Sequence, residues 1–94
     1  MRIHWKDEFK EDYKRLETRL KKSAPLRNAL FNVINRLQLG ENLTEKYTVN
    51  RIPAEGVGWY VCYFYKDFIL IYKVEGQYVK LSRLGTAKEL KEGK

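Results

Sequence analysis

The apolar residues of this chain change their spacing near its middle. Up to Gly40 they recur at helical intervals, and from Tyr47 onward they gather in short aromatic and β-branched runs. Periods of about 3.6 and 2 residues belong to helices and strands respectively. A chain of 94 residues that carries both, in that order, reads as one α+β domain over residues 1–94, with room for a single hydrophobic core.

Residues 1–6 read as a short first strand. Asp7 then stands as the N-cap of a helix with acidic first turns (Glu8, Glu11, Asp12) and a basic end (Arg19, Lys21, Lys22), a polarity that suits the helix dipole. Phe9, Tyr13, Leu16 and Leu20 follow the i, i+4, i+7, i+11 spacing of one buried stripe. Ser23, Ala24 and Pro25 mark a break and a new helix start. Leu26, Ala29, Leu30, Val33, Ile34 and Leu37 form a broader apolar face, and Gly40 is a natural stop. So short a link predicts a helical hairpin. A coiled-coil module is the structural rival, but stripes of about two heptads are short for one.

In the second half, Tyr47 to Ile52 reads as a strand and Pro53 to Gly58 as a loop. Trp59 to Tyr65 and Phe68 to Val74, separated by Lys66-Asp67, read as a hairpin. Glu75-Gly76-Gln77 turns into the strand Tyr78 to Leu84, and Gly85-Thr86 leads to a short polar helix, Ala87 to Glu92. The expected order is β-α-α-β-β-β-α, with the helix hairpin packed on a mainly antiparallel four-stranded sheet and a short helix at the end. A two-residue turn would pair Tyr65 with Phe68, Phe64 with Ile69, Tyr63 with Leu70 and Cys62 with Ile71. Alternation then puts Cys62, Phe64, Ile69 and Ile71 toward the helices and Trp59, Tyr63, Tyr65, Phe68 and Tyr72 on the other face. That second face is either a stacking surface for bases or a second core face covered by a terminus or a partner.

The formal net charge is +7, which raises nucleic acid, anionic lipid or an acidic protein as partner; a solubility charge is the plain alternative. Residues 1–46 carry a net +4 and residues 47–94 a net +3, so folding must build any basic patch. The lone Cys62 excludes a disulfide framework and a multi-cysteine zinc site, and its apolar neighbours suit a buried hydrophobe better than a nucleophile. His4 is the only histidine and sits near the N-terminus, far from any expected chemistry. No cofactor or metal is called for. The N-terminus becomes charged at once, unlike a signal peptide, and the apolar runs are short for a membrane span. The expected location is the cytoplasm, with no membrane partner.

The run Asp67-Phe68-Ile69-Leu70-Ile71-Tyr72-Lys73, followed by Leu81-Ser82-Arg83-Leu84-Gly85-Thr86-Ala87, resembles the YafQ branch of the RelE/ParE toxin superfamily. That branch reads D-x-(I/L)-L-I-Y-K and then (L/F)-x-R-x-G-T-H. Upstream, Phe9, Tyr13, Leu16, the stretch Leu37 to Leu43, Tyr47 and the Gly58-Trp59 strand start fall in matching order. The resemblance covers nearly the whole chain. It implies a microbial RNase-like fold, a cognate antitoxin protein as partner, and cleavage of mRNA on the ribosome as the activity of a type II toxin–antitoxin toxin.

Such cleavage needs a base to take the proton of a ribose 2′-OH, cations on the phosphate, and an acid for the departing 5′-oxygen. The resemblance implies histidines for these tasks, since imidazole titrates near neutral pH. The chain has Asn50, Tyr63 and Ala87 at the matching positions, and Lys91 where a terminal phenylalanine is expected. Asp67 and Arg83 persist. A histidine-free route, as in RelE itself, would set Arg51 and Arg83 on phosphate, Tyr63 or Tyr65 and Lys66 near the sugar, and Lys88 or Lys91 from the last helix, with Asp67 orienting one of them. Asn50 stands with Arg51, Tyr65 and Lys66 as an RNA contact. Free Tyr and Lys have pKa values of about 10, so either acting as general base needs a shift of roughly three units. The alternatives are a catalytically inactive RNA- or antitoxin-binding member of the same fold, and a ParE-like gyrase poison. Asp67 as a plain turn residue, Arg83 as a solvated strand charge and Tyr63 as sheet packing are the bland readings.

Overall fold

In a computed structural model of the chain, which describes residues 1–52 and 56–92 (the backbone alone for 91 and 92), a strand β1 (Arg2–Trp5) precedes three helices, α1 (Asp7–Arg15), α2 (Glu17–Lys22) and α3 (Ala24–Gln38). A short 3-10 turn, Leu43–Glu45, leads to β2 (Thr48–Arg51), β3 (Trp59–Tyr65), β4 (Phe68–Glu75), β5 (Tyr78–Thr86) and α4 (Ala87–Glu92). The expected α+β class holds. The four-stranded count is one short: all five extended segments join one sheet in the order β1-β5-β4-β3-β2. Three of its pairings are antiparallel, and β1 pairs with β5 in parallel. β1 earns its place because Ile3 and Trp5 alternate inward, opposite Val79 and Leu81, while Arg2 and His4 stay exposed.

The first helix is interrupted at Leu16, whose backbone (φ −91°, ψ 2°) leaves helical values between α1 and α2. The apolar stripe survives the interruption, with Phe9, Leu16 and Leu20 all buried. Asp7 is the first helical residue rather than the cap; Lys6 holds the cap position and contributes no side-chain bond. α3 begins as read: Ser23 Oγ accepts from Leu26 N at 3.3 Å, with Pro25 in the first turn. It ends in a Schellman pattern around Gly40 (φ +77°), where Glu41 N donates to Arg36 O and Gly40 N to Leu37 O. α1 lies along β5 and α3 against β3, and the core between helices and sheet joins Phe9, Leu30, Val33, Leu70, Leu81 and Leu84. Burying each such side chain contributes about 1.5–3 kcal/mol.

The β3–β4 hairpin departs from the expected register. Tyr65 pairs with Phe68 as predicted, but a bulge at Phe64 then shifts the ladder, so that Tyr63 faces Ile69, Cys62 faces Leu70 and Tyr60 faces Tyr72. One inserted residue exchanges the faces of everything beyond it on one strand relative to the other. Phe68 and Tyr72 therefore belong to the helix-side core, with Cys62 and Phe64. Ile71 shares the opposite face with Val61, and Ile69 with Tyr63. The bulge leaves both Phe64 and Tyr65 packed toward the helices. Of the five residues expected on the outer face, Trp59 and Tyr63 remain there.

Candidate functional site

Register alone sets three rows of side chains across the sheet face turned away from the helices. One row runs Thr48, Tyr63, Ile69, Gly85; the next runs Asn50, Val61, Ile71, Arg83; the third runs Trp59, Lys73, Lys80, His4. Rows two residues apart on a strand are separated by about 7 Å. Asn50 and Tyr63 are thus diagonal neighbours on adjacent strands, within reach of one small ligand. The third row is basic: the ammonium groups of Lys6 and Lys73 each lie 5.6 Å from the Trp59 ring centroid. Lys73 and Lys80 also pair with the exposed Glu75 at 3.1 and 2.9 Å.

Part of this face is closed. A Cβ at Gly85 would stand 3.4 Å from the Leu90 side chain, in ordinary contact, so α4 folds back across the sheet at that point. Ile69, between Tyr63 and Gly85 in the same row, is 1% exposed yet lies outside the helix-side core. The alternative of a second core face covered by a terminus is therefore realised at this end, and the Trp59 end is the more open one. α4 is anchored by Thr86, whose hydroxyl accepts from Glu89 N at 3.1 Å and donates to Glu89 Oε1 at 2.9 Å.

The expected site residues are divided among three surroundings. Asn50 and Tyr63 lie on the outer face, where Asn50 is exposed and Tyr63 half-buried. Arg51 pairs with Tyr60 and so stands on the helix side of β2, across the sheet from Asn50. Tyr65, Lys66 and Asp67 line a cleft of about 410 Å³ with Arg19, Lys22 and Phe68, again on the helix side. Lys66 there has φ +50° and its ammonium lies 5.3 Å from the Tyr65 ring. Asp67 accepts a bond from Ala87 N through its backbone oxygen at 2.8 Å, which ties the hairpin turn to the start of α4. Lys88 is exposed on α4, and the side chain of Lys91 lies outside the described residues.

Arg83 is the expected residue with the most developed surroundings. Its Nε donates to Asp12 Oδ2 at 2.8 Å and its Nη2 to Asp12 Oδ1 at 3.3 Å. The same carboxylate accepts from Leu84 N at 2.9 Å and from Arg15 Nη2 at 3.1 Å. Because Leu84 N faces Asp12 on α1 and not β4, these bonds draw the guanidinium to the rim of the face, at the β5 edge beyond the end of β1. Burial pushes the Asp12 carboxyl up, but the bonds from Arg83, Leu84 and Arg15 outweigh it and hold the group below the usual carboxylate range. The Arg83 guanidinium is held more firmly protonated by its bond to Asp12. Arg15 continues the chain to Glu89 Oε2 at 2.7 Å, so one ionic network joins α1, β5 and α4.

Sequence reasoning missed Asp12 and counted it among the acids of the first turns. The signal was present: Asp12 is three residues after Phe9 and four before Leu16, which sets a carboxylate inside the buried stripe. Cys62 is fully buried, and burial pushes its thiol up to about 12, in keeping with a packing role. No group of three or more His, Cys, Asp or Glu side chains suited to a metal ion occurs among the described residues, and no described helix is long and apolar enough to cross a membrane.

Comparison with known proteins adds the family dimension. The family model for YafQ, a bacterial toxin of type II toxin–antitoxin systems, matches residues 1–92. YafQ of E. coli in its complex with DinJ is similar at 25% identity and a TM-score of 0.79, over 96% of this chain and 98% of that one. A metal-bound toxin from Helicobacter pylori is similar at 26% identity and a TM-score of 0.74, over 96% and 98% of the two chains. YoeB from Staphylococcus aureus, at 14% identity, a TM-score of 0.69, and 89% and 93% coverage, shares the fold. A search of curated proteins gives no match.

Proposed function

The chain belongs to the YafQ family of toxins of type II toxin–antitoxin systems, and from that premise we propose that it is an mRNA endoribonuclease that inhibits translation and works without the family histidines. Its substrate is mRNA on the ribosome, in the cytoplasm, and a cognate antitoxin protein holds it silent. The solved toxin–antitoxin complex of E. coli DinJ and YafQ supports such a partner.

The observation that carries the reading is Arg83, retained in the family pattern and clamped by Asp12 at the rim of a face that also bears Asn50 and Tyr63. In the reaction the ribose 2′-oxygen attacks the adjacent phosphorus, the bond from phosphorus to the 5′-oxygen breaks, and the products are a 2′,3′-cyclic phosphate and a 5′-hydroxyl. Arg83 is suited to the charge that grows on the phosphate. Tyr63, on the same face, is the hydroxyl proposed to take or give a proton, with Asn50, diagonal to it, as a hydrogen-bonding group for the substrate. Trp59, with Lys6 and Lys73 beside it, is suited to stack a flanking base and meet its phosphate. Lys88 and Lys91 remain candidate cations from α4. Tyr65 and Lys66 keep a place as RNA contacts, with Asp67 as an orienting carboxylate beside them, only if the strand wraps around the hairpin turn, and Arg51 only if it reaches the helix side at the opposite end of β3. Loss of imidazole forfeits up to about 10² to 10⁴-fold of acid–base help, so this is a slow nuclease.

Induced expression with mapping of new mRNA 5′ ends tests it, comparing the native chain with Arg83→Ala and Tyr63→Phe. Native protein should arrest growth and create new ends; Arg83→Ala should lower cleavage about 10²-fold or more. No arrest and no new ends at confirmed soluble expression would sink the ribonuclease reading. The second reading, binding of RNA or antitoxin without cleavage, is favoured by the absence of imidazole at Asn50, Tyr63 and Ala87 together. The matching family is the YafQ one, so a ParE-like gyrase poison is not proposed.

A further inference from the structure

We infer that Asp12 is the positioning residue for Arg83: the α1 carboxylate, and not Asp67, sets the arginine that meets the scissile phosphate. The inference rests on the reading of Arg83 as a phosphate ligand in the proposed ribonuclease.

The geometry is that of an anchored clamp. Asp12 takes both Nε and Nη2 of Arg83, which fixes the guanidinium plane. Nη1 makes no bond among the described residues, so one corner of the fork is left for a ligand. The anchor is itself fixed, because Leu84 N on the rigid β5 strand donates to the same Oδ2 that holds Nε. Side-chain exposure grades along the pair: 7% at Asp12 and 42% at Arg83. The holding end is inside and the working end outside. An arginine so held surrenders its rotamer freedom on folding and not on binding phosphate, which is the usual benefit of preorganisation.

Two features separate this from a plain tie between helix and strand. A tie needs only the bond to Leu84 N, whereas here Arg83 contributes two of the four bonds on the carboxylate. Asp12 also accepts from Arg15, whose other partner, Glu89, is an α4 residue held by the capping hydroxyl of Thr86. The orientation of Arg83 is therefore linked to the helix that carries Lys88. Asp67, the carboxylate first expected to orient a cation, engages its neighbours here through its backbone oxygen.

The test is a double-mutant cycle on cleavage of a synthetic mRNA fragment, with Asp12→Asn, Arg83→Ala and the combination, each checked for folding by its Tm. Asp12→Asn should lower kcat by about 10²-fold. KM should stay within about threefold, because the change also removes a negative charge beside the RNA. The combination should cut no more slowly than Arg83→Ala alone, within about twofold. Multiplicative losses, or an unchanged kcat in Asp12→Asn, overturn the inference. Should Asp12→Asn fail to fold, Arg83→Lys decides in its place: the charge is kept but the fork is lost, and cleavage as fast as the native chain overturns it. If the native chain cuts no RNA, the ribonuclease proposal fails by itself, and side-chain NMR then decides. A slowly exchanging Arg83 Nε–H in the native chain that exchanges at least tenfold faster in a folded partner-loss variant (Asp12→Asn, or Asp12→Ser if Asn does not fold) supports the clamp; an Nε–H as fast as free arginine in the native chain overturns it.

Discussion

At the scale of the residue, Asp12 does most to define this molecule. A carboxylate buried among Phe9 and Leu16 would ordinarily titrate high, yet four hydrogen bonds from Arg83, Leu84 and Arg15 bring it below its usual value near 3.8. Glu89 is lowered in the same manner: burial pushes it up, and bonds from Arg15 and Thr86 outweigh that. A carboxyl whose pKa is depressed in the fold stabilises it fully above the unfolded value and loses that contribution as pH falls through the folded value. Urea unfolding followed from pH 7 to pH 2 should therefore show a plateau down to about pH 5 and a decline below about pH 4. In Asp12→Asn the plateau should sit lower and the decline should be shallower. An acid limb parallel to that of the native chain would mean that Asp12 is not among the groups driving it.

At the scale of the element, the β3–β4 hairpin shows how little separates two faces. Its composition, turn and strand lengths were legible, because aromatic and β-branched runs around Lys66-Asp67 are a local signal. The bulge was not, since one inserted residue leaves no mark in the alternation of a strand where nearly every side chain is apolar. That single residue moved Phe68 and Tyr72 into the core and reduced the expected aromatic face to Trp59 and Tyr63. The entry to β3 is stricter. Gly58 has φ +87°, and a Cβ there would meet Val74 O at 2.6 Å, while Gly58 O accepts from Val74 N at 2.9 Å. Gly58→Ala must both adopt a left-handed backbone and push away the neighbouring strand, so it should cost at least about 2 kcal/mol by urea denaturation. A loss under about 0.5 kcal/mol would show that the strand entry relaxes freely.

At the scale of the whole molecule, a charge of +7 spread evenly along the chain becomes uneven on folding. Lys6, Lys73 and Lys80 gather near Trp59 on the outer face, Arg83, Arg15 and Arg19 gather along the α1–β5 edge, and Asp12, Glu75 and Glu89 thread between them. An extended RNA laid across that face would meet three to four phosphates at most. The logarithm of its affinity should then fall against the logarithm of salt with a slope of about −2 to −3. Fluorescence anisotropy of a labelled oligoribonucleotide across a salt series measures this, and a slope near zero would remove the phosphate contacts from the reading.

Sequence by itself determined the α+β class, the places of the helices and strands, the burial of Cys62 and the YafQ-type pattern around Arg83. Each of these is written in neighbours a few residues apart, where 3.6- and 2-residue periods, caps and turn residues act. Only the tertiary structure decided the fifth strand in the sheet, the faces of Phe68, Tyr72, Ile69 and Ile71, the separation of Tyr65, Lys66, Asp67 and Arg51 from Tyr63, and the partner of Arg83. That partner is 71 residues away in the chain, and no local rule pairs them. It is found when α1 closes over the β5 edge, because a buried carboxylate and an unpaired strand amide each need the other.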